Sequence, residues 1–105
     1  MENSLARARI RIVAQEILDR KKGLIEATRE LLSWLHRIPN FDVLDKYGAL
    51  VACDSETDHL PVGRVREYWA EDALKEKDKE VAEFEAHWRS EIESAARLLL
   101  QEFGE

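Results

Sequence analysis

Apolar residues recur along this chain at helical spacing, most clearly towards its end. Val81, Phe84, Trp88, Ile92, Ala95, Leu99 and Phe103 follow one another at intervals of three and four. At about 100° per residue they fall within an arc of roughly 100°, one face of a helix. Glu80, Glu83, Glu93 and Arg97 lie off that face. Leu74 carries the stripe one turn further back and Gly104 follows its last member, which predicts a long helix over 71–103. Glu85 stands at the edge of the stripe, where a partly covered carboxylate needs a partner; an arginine of the first helix is the simplest one.

Three shorter patterns precede it. Ala6, Ile10, Val13, Ala14 and Ile17 make a stripe in a helix near 4–21, opened by Asn3 or Ser4 as cap, with Leu5 and Ile12 on its far side. Lys22-Gly23 forms the following turn, Gly23 being suited to a left-handed cap. Leu24, Ala27, Leu31, Trp34, Leu35 and Ile38, widened by Ile25 and Leu32, predict a helix over 24–38 that touches more than one neighbour. Pro39 ends it. Asp42 and Asp45 give a capping pattern, with Leu44, Tyr47 and Val51 on one face of a helix over 42–53. Ala49 to Cys53 is also a short apolar run, but no partner strand is evident, so helix is preferred. Residues 54–63 have no periodicity and read as a loop, followed by a short helix or turn to Trp69. The expected fold is all-α: residues 1–105 as a single bundle of about four helices with a long C-terminal helix.

Composition narrows the possibilities. One domain fits 105 residues, and 45% apolar content argues against disorder. No run approaches the ~20 apolar residues of a membrane span, and no apolar segment follows Arg7, Arg9 and Arg11 to make a secretory signal. With Cys53 alone, a cytoplasmic location is the simplest expectation. The formal charge of −6 is uneven: residues 1–39 carry eight Lys/Arg against five Asp/Glu, residues 40–105 eight against seventeen. That balance disfavours nucleic acid, and the first-helix arginines are expected to pair with the acidic last helix.

Reactive groups concentrate in one place. Asp54, Glu56, Asp58 and His59 lie within six residues, as a divalent-metal or acid/base site would require. The spacing fits no EF-hand, whose sixth and twelfth positions would fall on His59 and Val65 instead of glycine and glutamate. Asp, Ser and Thr also dominate loops that cap helices, which is the commoner reason to find them together. Neither His36 nor His87 joins a constellation, Cys53 reads as a small buried hydrophobe, and no nucleotide-binding or nucleophile motif is present. The sequence therefore leans away from an enzyme and implies no cofactor. Trp34 and Trp88 lie on stripes and are expected in the core; Tyr68 and Trp69, beside Arg64 and Arg66, have the composition of interaction hot spots or of a lid on the bundle.

From Asp54 to Glu80 the chain carries Ser55-Glu56-Thr57-Asp58, Leu60-Pro61, Gly63, Val65-Arg66, Trp69, Leu74 and Lys77-Asp78. This segment resembles one in a family of small bacterial proteins with no assigned activity. The resemblance covers about a quarter of the chain, extends weakly to Ile25-Glu26-Ala27 and Arg29, and implies no role for any residue. The leading expectation is a protein-binding module of the immunity or antitoxin kind, neutralising a basic toxin through Asp54, Glu56, Asp58, His59, Arg64, Arg66, Tyr68 and Trp69. The alternative is a divalent-metal-binding protein or metal-dependent hydrolase using 54–59. A third expectation is a homodimer, motivated by Ile12 and the broad face of the second helix.

Overall fold

In the computed structural model, which describes residues 2–104, four α-helices appear: α1 (Glu2–Leu18), α2 (Leu24–Leu35), α3 (Val43–Thr57) and α4 (Glu71–Phe103), with a 3-10 turn over Gly63–Tyr68. Among the described residues there is no strand, so the protein is an all-α bundle. Each helix packs antiparallel to the next, and α4 closes the ring against α1. This up-down-up-down order follows from short connections, which leave little choice but to bring consecutive helices side by side.

The core is made by the stripes. Ala6, Ile10, Val13, Ala14 and Ile17 of α1 are buried as their spacing predicts, while Leu5 and Ile12 are exposed. The seven buried residues of α2 occupy a wide arc because that helix meets α1, α3 and α4. Burying a Leu or Ile side chain stabilises by about 1.5–3 kcal/mol each, which is why these stripes decide the architecture.

Several boundaries differ from the sequence expectation. The first helix already includes Glu2, so Asn3 and Ser4 lie inside it and not at its cap, and it ends at Leu18. Its end is a Schellman arrangement: Lys21 N–H donates to Glu16 O at 2.9 Å and Arg20 N–H to Ile17 O at 3.1 Å. The left-handed residue is Arg20, with φ 56°, and not Gly23. Gly23 instead stands at the N-cap of α2 with φ −56° and ψ 137°. Having no side chain, it leaves the first N–H of α2 open, and Glu85 of α4 fills the place, its Oε2 accepting from Leu24 N at 2.8 Å. Glu85 thus finds a backbone N–H and not an α1 arginine, and its charge suits the positive end of α2.

The α1 arginines also go elsewhere than expected. Arg9 pairs with Glu30 of α2 at 2.8 Å, and Arg11 Nη1 donates to the Phe103 carbonyl at 2.9 Å. Arg7 lies 5.0 Å over the Phe103 ring. Arg20, beyond the helix, lies 3.6 Å from an acid of α4, Glu93. Glu30 is a hub: it accepts from Arg9, Lys22 and Trp34 Nε1. Trp34 is consequently half-buried, with Arg37 stacked 4.5 Å above it, and does not belong to the sealed core.

Helix α3 buries Val43, Tyr47, Leu50, Cys53 and Thr57, and Leu44 is 69% exposed, so the inward face is offset from Leu44/Tyr47/Val51. The misleading residue is Thr57, which counts as polar in the pattern. Its hydroxyl donates to Cys53 O at 2.6 Å, and it enters the core without an unsatisfied donor. At Tyr47 the helix kinks (φ −124°, ψ 32°), and its ring stacks 5.8 Å from Phe41. The 33 residues of α4 span about 48 Å at 1.5 Å each, comparable to the 45 Å length of the whole molecule. It buries residues only from Trp88 onward; its front half, 71–87, has an apolar face that is only partly covered.

Candidate functional site

One end of the molecule is built from the last turn of α3, residues 58–62, the 3-10 turn and the front half of α4. The residues singled out by sequence meet here, though not as a single cluster. Asp54, Ser55, Glu56 and Thr57 form the last turn of α3 and not a loop. Their turn-forming side chains suggest a break in the helix, but tertiary partners hold it intact. Arg29 reaches from α2 to donate to the carbonyls of Thr57 and, at 3.4 Å, Leu60, so the open end of α3 and the following residues are capped together. The same guanidinium lies 3.6 Å from Asp54.

The other groups have different partners. Glu56 Oε2 accepts from Trp88 Nε1 at 2.9 Å, which lets the indole N–H sit in the core with its bond made. Asp58 stands at the C-cap of α3 with an exposed side chain. His59 is 3.8 Å from Glu80 and presents its ring edge-on to Phe84 at 6.2 Å between centroids. Arg66 grips Asp78 with two bonds, 2.5 and 3.1 Å, tying the 3-10 turn to α4. These bonds hold the Asp78 carboxyl below its ordinary range and raise Arg66. Tyr68 is 87% exposed and Trp69 half-buried, while the side chain of Arg64 lies outside the described residues.

This distribution bears directly on chemistry. The four groups of 54–59 do not converge, and among the described residues no three of His, Cys, Asp and Glu are placed to hold one metal ion. Burial pushes the Cys53 thiol up to about 11 and the Tyr47 phenol up to about 12, the opposite of what a nucleophile or base at neutral pH needs. Glu30 is the strongly acidic carboxyl: burial raises it, but the bonds from Lys22, Arg9 and Trp34 together with the Lys22 charge outweigh that and bring it to about 2.

What the end does contain is a groove of about 500 Å³ lined by Glu56, Glu83, Phe84 and His87. Three of these belong to α4 and were not among the sequence candidates. Glu80, Glu83, Phe84 and His87 follow i, i+3, i+4, i+7 spacing, so one helix face presents two acids, an aromatic ring and an imidazole. The signal was available: the Phe84 stripe runs further forward than the short helices can cover. No family model, curated protein or solved structure matches the chain. Among the described residues no helix is long and apolar enough to cross a membrane.

Proposed function

We propose that the chain is a protein-binding module that engages a basic polypeptide, in the manner of an immunity or antitoxin protein, through this end of the bundle. The observation that supports it is the combination of apolar and acidic surface on the front half of α4. Residues 71–87 carry seven acids against three lysines, and none of them is fully buried. Beside them stand exposed Tyr68 and partly buried Trp69, Leu74, Val81 and Phe84. Large side chains of this type, held on a rigid helix and rimmed by like charges, suit a partner of opposite charge. A reducing compartment such as the cytoplasm belongs to this reading, with Cys53 buried as a free thiol.

The test is capture on immobilised protein from an extract of the source cells, with identification by mass spectrometry. A basic polypeptide retained by the wild type, released by salt and lost with Tyr68→Ala/Trp69→Ala is the expected result. Equal retention by wild type and that variant, or no specific retention at all, refutes the proposal. Self-association is the second reading, favoured by Leu5 (58% exposed) and Ile12 (47% exposed) one heptad apart on the outer face of α1. Sedimentation equilibrium showing a monomer at high concentration would exclude it.

A further inference from the structure

We infer that the groove between the end of α3 and α4 is a binding site for an arginine side chain, the anchor by which a basic partner is recognised. The biological occupant rests on the protein-binding reading above; the chemistry of the groove does not.

The lining determines the ligand. Phe84 supplies an aromatic ring, roughly perpendicular to that of His59 with centroids 6.2 Å apart. Glu56 supplies a carboxylate whose position is set by the 2.9 Å bond from Trp88 Nε1 to Oε2. That bond leaves Oε1 for a ligand. Glu83 supplies a second carboxylate, and among the described residues it enters no hydrogen bond or ion pair. His87 also lines the groove, its ring perpendicular to that of Trp88 with centroids 5.2 Å apart. Among the described residues no lysine or arginine lines the groove. Two carboxylates beside an aromatic ring attract a cation, and a planar guanidinium fits best: it stacks on the ring while its edge donates to carboxylate oxygens. A lysine ammonium could meet the charges but has no flat face to lay on Phe84. The volume of about 500 Å³ falls in the range of small-ligand sites, enough for one long side chain and the backbone that carries it.

The groove also explains two features that packing alone does not. Glu83 is exposed and contributes nothing to the core, and Phe84, though packed against the core, is only half-buried and still lines the groove. Glu56 is exposed as a residue yet its carboxylate is oriented by the buried Trp88, an arrangement that fixes a charge at the rim in advance of binding.

The experiment is a titration followed by the indole N–H resonances of Trp34, Trp69 and Trp88, the last assigned with Trp88→Phe. The probes are a capped arginine tripeptide and its citrulline counterpart, which keeps the shape and removes the charge. The arginine peptide should move the Trp88 indole signal saturably, and the citrulline peptide should bind about tenfold more weakly or less. Glu83→Gln should weaken the arginine peptide several-fold with the thermal midpoint near wild type, since Glu83 is exposed. Phe84→Leu, which keeps an apolar side chain against the core, should weaken it several-fold with at most a modest fall in midpoint. Binding is read at a temperature where both variants are folded. Glu56→Gln retains an oxygen for Trp88 and serves as the third test of charge. Equal shifts with citrulline, or wild-type affinity in both Glu83→Gln and Phe84→Leu, overturns the inference.

The two readings fail separately. If the arginine peptide binds as described and no basic polypeptide is retained from extracts, the protein-binding proposal fails and the groove stands. If a partner is retained equally by wild type and by Glu83→Gln/Phe84→Leu, the groove is not the anchor and the protein-binding proposal stands.

Discussion

Replacing Glu30 by glutamine should destabilise the bundle in a way that depends on pH. The carboxylate accepts from Arg9 at 2.8 Å, from Lys22 and from Trp34 Nε1 at 3.3 Å, and joins α1, the following turn and α2. Its acidity is shifted from 4.5 to about 2. At about 1.4 kcal/mol per pH unit that shift has a ceiling of about 3.5 kcal/mol. The side chain is 23% exposed, so solvent screens part of it, and about 1–2 kcal/mol at neutral pH is the reasonable expectation. The folded-state value is depressed, so the contribution is present above the unfolded value of 4.5 and is lost as pH falls towards about 2. Urea unfolding of wild type and Glu30→Gln at a series of pH values measures this directly, because the other carboxyls cancel in the difference. The gap should be constant above about pH 5 and shrink steadily below it. A gap that stays the same from pH 5 to pH 2, or one absent at pH 7, would mean that the three donors do not act on Glu30 as the geometry states.

Glu85→Ala removes the side chain that accepts from the first N–H of α2 and should cost about 1–2 kcal/mol in urea unfolding, with most of it restored in Glu85→Gln. Cys53 should resist alkylation at pH 8 in the folded protein and react readily in urea, as read by mass spectrometry; rapid reaction without urea contradicts its burial. Because burial raises Cys53 to about 11 and Tyr47 to about 12, the stability they confer as neutral groups is present below pH 9 and declines as the unfolded thiol and then the phenol ionise, so denaturation midpoints should fall from about pH 9 upward. Amide hydrogen exchange along α4 should divide near Trp88, faster over 71–83 and slower over 88–103, and uniform protection would contradict the partial covering of the front half.

The helices were legible because burial follows spacing. The stripe of α1, and that of α4 from Trp88 onward, occupy the core positions that period 3.6 assigns them, and the broad face of α2 became its contact with three neighbours. Leu74, Val81 and Phe84, on the same stripe of α4, are only partly covered. What escaped was decided by groups distant in sequence. The sequence around Asp54–Thr57 favours a loop, but Arg29, 28 residues before Thr57, and Trp88, 32 residues after Glu56, hold it as helix. The partner of Glu85 is a backbone N–H left open by Gly23 and not a cation, a kind of partner that composition does not reveal. Trp34 lies on a stripe, yet the acid at i−4 draws its indole to the rim. The same limit applies to the groove: Glu56 was legible as a reactive group, but its pairing with Glu83, Phe84 and His87 exists only once α4 crosses the end of α3.

The bond from Glu85 to Leu24 has a bearing on how the chain is made. During synthesis α1 and α2 emerge first and can pair locally, yet the start of α2 stays uncapped until a residue 61 positions later has been added. Arg11 waits longer still, since the carbonyl it donates to is that of Phe103. A nascent chain holding only α1 to α3 exposes the faces of those helices that α4 would cover. The last helix is then the latch of the fold, and a chaperone or early partner that covers those faces before α4 arrives would govern how much finished protein a cell obtains.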